Sequence, residues 1–199
     1  MKEENWMDAL LLNFPESFES DRLTIRAPRA GDGTEIHAAI EETFDDLKPW
    51  MPWAQQIPTL EESEAFVRRS QCQFLAREDL ALLLFLKGTN TIVGGSGLHR
   101  IDWDIPKFEI GYWCRKRFQG QGYITESTET IAKFAFETLG AKRVEIRCDS
   151  KNVKSRRIPD RLGFKLEGTL RNNSLSMAGE LRDTLVFAKI NCGSCQKTV

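Results

Sequence analysis

Three strand-like runs follow one another between residues 80 and 115, and an arginine, two glycines and a helical run come directly after them. LALLLFLK (80–87), TIVGGSGLHRI (91–101) and FEIGYWCR (108–115) are rich in branched and aromatic side chains, which pack well on a pleated surface. RFQGQG (117–122) then leads into residues 123–139, where Ile124, Ile131, Phe134, Ala135 and Thr138 recur near one helical face before Gly140 closes the run. Successive strands that give way to a helix confine the chain to a sheet with helices packed against it.

The flanking segments extend this plan. DRLTIRAP (21–28) alternates Leu23, Ile25 and Ala27 with polar residues, as a half-buried strand does. AGDGTEIHAAIEETF (30–44) has helical spacing through Ile36, Ala39, Ile40 and Phe44, and Thr59 followed by Glu61 and Glu62 opens a second helix. Between them LKPWMPWAQQIP (47–58) reads as an aromatic, proline-rich loop. KRVEIRCDS (142–150) and DTLVFAKI (183–190) are further strands. KSRRIPDRLGF (154–164) reads as a short helix ending at Gly163, with Pro159 expected in its first turn, where a missing N–H does no harm. The order β-α-α-β-β-β-α-β-α-β predicts an α/β (α+β) mixed sheet. No repeat, linker or low-complexity stretch divides the 199 residues, so one domain is expected over 21–190, with 1–20 as an N-terminal extension and 191–199 as a C-terminal tail.

Composition narrows the setting. No apolar run reaches the roughly 18 residues that cross a membrane, and the acidic start MKEENWMDALLLNF lacks the basic n-region of a secretory signal. The five cysteines, at 72, 114, 148, 192 and 195, are odd in number and scattered, which fits reduced thiols in a cytoplasm rather than a disulfide framework. The lone CGSC at 192–195 has no second pair to complete a metal site; no metal is expected. Residues 1–66 carry 15 acidic and 5 basic side chains, and the remainder 14 acidic and 23 basic. Such a split suits a site that meets a cation on one side and an anion on the other, or two unrelated solvated faces. The basic stretch from Lys142 to Arg157 spans a strand and a loop without interleaved aromatics, so no nucleic-acid face is read there.

The glycine loop is the anion candidate. Gly120 and Gly122 allow the backbone to turn its amides toward a guest, and the helix that follows adds unpaired N–H groups and a positive dipole end. Arg115, Lys116 and Arg117 add charge, and Thr125 a hydroxyl. A dinucleotide fingerprint would need glycine where Thr125 stands, and a P-loop would need Gly-Lys-Ser/Thr. A phosphate or pyrophosphate site and a purely structural turn both remain open on this element alone.

Arg117-x-x-Gly120-x-Gly122 between a strand and a helix resembles the acetyl-CoA pyrophosphate loop of the GNAT N-acetyltransferases. EIGYW (109–113), RFQGQGYITE (117–126), NVKS (152–155), LGFKLEGTLR (162–171) and RDTLVFAKI (182–190) resemble, more narrowly, the Rim-type ribosomal-protein alanine/serine acetyltransferases, and RLTIRAP and LKPWMPW match that group too. The resemblance implies a twisted central sheet in which strands four and five (here 108–115 and 142–150) splay apart around the cofactor. It implies acetyl-CoA as cosubstrate and an amine acceptor, either a protein N-terminus or a small molecule such as an antibiotic, polyamine or amino acid. It is compatible with a homodimer, and a silent acyl-CoA-binding module is the alternative from another class.

The same resemblance assigns residues. Trp113, Cys114 and Arg115 would line the pantetheine arm. Arg117, Phe118, Gln119, Gly120, Gln121 and Gly122 would wrap the pyrophosphate, with Tyr123, Ile124 and Thr125 carrying the site into the first helical turn. Asn152 and Ser155 would close the other wall. Ser155 is the candidate hydrogen-bond donor to the departing thiolate; its alternative role is a helix cap. Glu109 is the candidate base, acting through water, or else a solvent-facing strand residue. Some relatives place a glutamate base after EGTLR, where this chain has Ser174. His99 is expected to be structural, His37 to lie on the surface, and Tyr123 to pack the helix start. Trp50 and Trp53 either wall the acceptor pocket or plug the core. Glu41, Glu42, Asp45 and Asp46 are expected to draw a cationic acceptor.

Overall fold

The structure is a computed structural model that describes residues 9–176 and 179–191. Among them eight strands form one sheet: β1 (Ser17–Glu19), β2 (Leu23–Arg26), β3 (Leu80–Leu86), β4 (Ile92–Asp102), β5 (Lys107–Cys114), β6 (Arg143–Asp149), β7 (Lys165–Leu175) and β8 (Leu181–Ile190). Their order is β1-β2-β3-β4-β5-β6-β8-β7. Among the described residues four α-helices accompany them: α1 (Gly33–Leu47), α2 (Leu60–Leu75), α3 (Tyr123–Glu137) and α4 (Val153–Arg161).

Among the described residues every ladder is antiparallel except β5–β6. Parallel neighbours need a long crossover, and α3 supplies it. This one parallel ladder is also short. It pairs Lys107 with Arg143, Phe108 with Val144 and Glu109 with Glu145, and stops. β5 continues to Cys114, paired with β4 on its other edge as far as Gly94↔Cys114. β6 continues to Asp149, paired with β8 as far as Asp149↔Thr184. The sheet therefore opens as a V beyond Glu109, at the junction expected for strands four and five.

Burial explains why the chain takes this path. Phe108 and Ile110 of β5 face one core with Ile124, Ile131, Phe134 and Ala135 of α3 and with Val144 and Ile146 of β6. On the opposite face Leu83, Phe85 and Ile92 pack against Ile36, Ala39 and Ile40 of α1 and Val67 of α2. The N-terminus of α2 closes with a reciprocal capping box between Thr59 and Glu62.

Four features depart from the sequence-based expectations. The sheet starts at Ser17, inside the segment expected as an extension. β7 is an eleven-residue strand almost wholly exposed; with no buried face it lacks alternation, and its order comes from the ladder with β8. Pro159 sits in the last turn of α4 rather than the first, where the Tyr112 hydroxyl serves the Ser155 carbonyl that it leaves without a helical donor. His37 is half-buried, with Nδ1 shielded from solvent, because α1 packs on the sheet. The CGSC segment lies outside the described residues.

The glycines of β4 are steric. A Cβ on Gly94 would collide with the Trp113 carbonyl, and one on Gly95 would lie 2.5 Å from Trp113 Nε1. Gly94→Ala should therefore lose about 1–3 kcal/mol through overpacking against rigid backbone. Thermal unfolding of the variant should show a midpoint lowered by several degrees; an unchanged midpoint would contradict this packing.

Candidate functional site

The open end of the V is a cleft of about 960 Å³. Its walls are Tyr112, Trp113 and Cys114 of β5, Phe118–Gly120 and Gly122–Thr125 of the glycine loop and α3, Trp50 and Met51 of the proline-rich loop, and Asn152 to Arg161 of α4 in part. Of the residues assigned from the sequence to the cofactor and the chemistry, Arg115, Arg117, Gln121 and Glu109 do not line it, and Trp53 does not join Trp50 in its wall.

The loop divides sharply in its hydrogen bonding. Lys116 N donates to Thr43 Oγ1 at 3.0 Å and Arg117 N to Glu42 Oε1 at 3.0 Å. Phe118 N and Gln119 N donate to the carbonyls of Arg115 and Lys116. From Gly120 to Thr125 the amides have no acceptor among the described residues, and helical bonding starts only with Glu126 N to the Gly122 carbonyl. Gly120 at φ +74° and Gly122 at φ +83° hold the left-handed turns that produce this run. Consecutive free amides at a helix start form a concave anion seat.

The arginines expected to charge that seat are committed elsewhere. Arg115 is buried, with Nε 2.8 Å from Glu42 Oε2 and Nη1 3.2 Å from Glu35 Oε2. Arg117 Nε lies 3.0 Å from Glu42 Oε1. Hydrogen bonds from Arg117, and next from Arg115, hold the Glu42 carboxyl down at about 2 against the opposing effect of burial. Glu42 thus fastens the loop to α1 and is not free to draw an acceptor. Asp45 and Asp46 do line the cleft, and Asp46 Oδ2 accepts from Gln119 Nε2 at 3.1 Å.

One anchor escaped the sequence reading. Arg22 of the β1–β2 turn places Nε 2.6 Å from Glu126 Oε2, gives Nη1 to the Gln121 carbonyl at 3.1 Å and covers the Tyr123 ring at 4.2 Å. The cleft's own positive charge comes from Lys151, Lys154, Arg157 and Arg161; Arg157 and Arg161 have no acidic partner among the described residues. The basic stretch was visible in the sequence, but only the helix aligns 154, 157 and 161 on one face.

On that wall Asn152, not Ser155, caps α4: its Oδ1 accepts from Ser155 N at 3.1 Å. Ser155 Oγ is left to donate to Tyr112 Oη at 3.2 Å, while Tyr112 Oη donates to the Ser155 carbonyl at 3.0 Å. Burial raises the Tyr112 phenol above its ordinary value. It also pushes the Cys114 thiol up to about 12 and that of Cys148 to about 11, so neither is a thiolate near neutrality.

Glu109 occupies the crotch of the V, on the face opposite Tyr112 by strand alternation. Arg147 Nε is 3.3 Å and Arg100 Nε 3.5 Å from its Oε2, an oxygen that is buried without a hydrogen bond. Desolvation raises its pKa, with Arg100 and Arg147 pulling the other way. His99, its cross-strand neighbour, pairs Nδ1 with Asp79 Oδ2 at 2.8 Å. Ser174 lies on β7 opposite Arg182. Trp50 lies under the Arg182 guanidinium at 5.0 Å, and half-exposed Trp53 meets Trp113 edge-on at 6.4 Å. Tyr123 packs edge-on against Phe118 at 5.8 Å.

Residues 22–165 match the Acetyltransferase (GNAT) domain family. The chain belongs to the GNAT acetyltransferases. The putative ribosomal N-acetyltransferase YdaF of Bacillus subtilis is 30% identical over 154 residues, covering 77% of this chain and 83% of that protein. The ribosomal-protein-serine acetyltransferase of Escherichia coli is 25% identical over 152 residues, covering 72% and 85%. Among solved GNAT structures, the microcin C7 self-immunity acetyltransferase MccE, in complex with acetyl-CoA and AMP, superposes with a TM-score of 0.81 at 25% identity, covering 89% of this chain and 97% of that one. The fold is shared with RimL at a TM-score of 0.82 and 23% identity, covering 88% and 98%.

The Glu42 contacts set an acid limit for this GNAT loop. A carboxyl depressed from 4.5 to about 2 adds stability that is complete above the higher value and lost as pH falls toward the lower. Glu42→Gln should therefore unfold at a lower temperature than the parent at pH 7, and the gap should close as pH drops from 4.5 to about 2. A gap that is constant across that window would show that the carboxylate's charge is irrelevant.

Proposed function

We propose that the chain transfers acetyl directly from acetyl-CoA to a primary amine in the cytoplasm, and that the acceptor is the N-terminal amine of a ribosomal or other protein. The observation that carries this reading is the run of unpartnered amides from Gly120 to Thr125 at the mouth of the V. It fits a diphosphate, and the row of Lys154, Arg157 and Arg161 across the cleft adds cations for the remaining phosphate charge. The names of the ribosomal-protein relatives support the acceptor class. Cys72, Cys114 and Cys148, all free thiols, suit a reducing compartment; among the described residues no helix is long and apolar enough to cross a membrane.

Each part of the site then has a task. Acetyl-CoA supplies the activated acyl group and a thiolate leaving group. Beyond Glu109 the main-chain groups of β5 that point toward β6 have no ladder partner, so they can hold the arm and offer an N–H where negative charge develops. Trp113 and Cys114 wall the arm, and Phe118, Gln119 and Tyr123 the loop side. Arg115, Arg117 and Gln121 act indirectly, by keeping the loop in shape through Glu42 and Arg22. Ser155 gives a hydrogen bond to the departing sulfur. The α-amine, with a pKa of roughly 7.7 to 8.0, must shed a proton before attack; Glu109 receives it through water, its burial making it a better base than a solvated glutamate.

Acetyl-CoA at saturating concentration should raise the thermal midpoint of the parent and leave that of Gly122→Glu unmoved, because the substitution puts a carboxylate among the amides. The unliganded variant should lose no more than about 1–2 kcal/mol for a non-glycine residue in the left-handed region. Thiol release should then be measured over peptides bearing ribosomal-protein N-termini and over small amines. Binding without thiol release on any acceptor would establish a silent module, and release on small amines alone would move the acceptor class. Ser155→Ala should reduce kcat about tenfold or more, with the KM for acetyl-CoA little changed; a normal kcat removes Ser155 from the chemistry.

A further inference from the structure

We infer that Tyr112 is a positioning residue for Ser155, and that Pro159 is what frees Ser155 to receive it. This presupposes the part proposed above for Ser155. In a regular helix the Ser155 carbonyl would accept from the N–H of residue 159, and proline has none. The carbonyl vacated in this way takes the Tyr112 hydroxyl at 3.0 Å. A phenol has one proton. With that proton committed, Tyr112 Oη meets Ser155 Oγ as an acceptor, at 3.2 Å.

The pair of bonds ties β5 to the first turn of α4 across the widening gap between β5 and β6, where no ladder bond remains. The backbone of Ser155 is separately pinned by its N–H to Asn152 Oδ1 at 3.1 Å. The hydroxyl therefore stands in one place at the cleft wall, and its proton can turn from Tyr112 toward a developing thiolate by rotation about the Cβ–Oγ bond, with no heavy atom displaced. Tyr112 itself gives up no proton in this arrangement. Its high phenol pKa, caused by burial, agrees with that.

The test compares Tyr112→Phe, Pro159→Ala and their combination. Tyr112→Phe should lower kcat roughly five- to tenfold, the effect of one well-placed hydrogen bond, with the KM for acetyl-CoA within about twofold of the parent. It also orphans the Ser155 carbonyl, so the thermal midpoint should fall. Adding Pro159→Ala returns an N–H to that carbonyl. The midpoint should recover in the double variant while kcat stays low, because a helical N–H satisfies the carbonyl without tying Ser155 to β5. Recovery of kcat together with the midpoint would reduce Tyr112 to a structural prop, and a parental kcat in Tyr112→Phe would overturn the inference outright. In a Ser155→Ala background Tyr112→Phe should add nothing to the rate loss; a full further loss would show that Tyr112 acts independently of Ser155. If Ser155→Ala turns over normally, the role of Ser155 falls first. If Ser155→Ala is slow and Tyr112→Phe is not, only the positioning role fails.

Discussion

A ladder that stops after Glu109↔Glu145 while both strands run on leaves two facing rows of main-chain donors and acceptors. Such groups are strongly disfavoured unless they find partners, and β4 and β8 can serve only the outer edges of the opened strands. The V is thus an opening lined by backbone groups, flanked by α3 in the core on one face and spanned by the Tyr112–Ser155 tie. The glycine loop at its mouth repeats the same condition at a helix start, with amides that the protein itself does not satisfy.

Keeping amides free requires that nearby acceptors be occupied, and the charge distribution does this. Glu42 engages Arg115, Arg117 and the Arg117 amide, and Glu126 engages Arg22 and Ser20. Glu42 and Glu126 are thus neutralised by the arginines beside the loop. What reaches the cleft is the neutral polarity of the backbone plus the cations of α4, offset by Asp45 and Asp46. A seat built from backbone dipoles holds its geometry better than one built from flexible side chains, and in the reaction proposed above that geometry aims the reactive end of a long ligand.

Much of this was legible in the chain. The runs at 80–87, 91–101 and 108–115 became β3, β4 and β5, and Thr59 with Glu62 became a capping box. Gly120 and Gly122 adopt the positive φ values for which their type is suited. Other features were not legible, for identifiable reasons. β7 has no buried face, so no alternation marks it. Pro159 was read by the usual rule that an interior proline breaks a helix, but Tyr112, 47 positions earlier in the chain, relieves the carbonyl it strands. Arg117 looked like a phosphate ligand because its rival, Glu42, lies 75 residues away.

The sequence by itself determined where strands, helices and left-handed turns form, because apolar period and glycine placement act over a few residues. It also determined the family, through motifs that are contiguous in the chain. Tertiary structure alone decided which charges remain available, which face Glu109 and Tyr112 occupy and which carbonyl Tyr112 serves. Those outcomes depend on pairwise distances of a few ångströms between residues tens of positions apart, and only packing the two cores on either side of the sheet sets such distances.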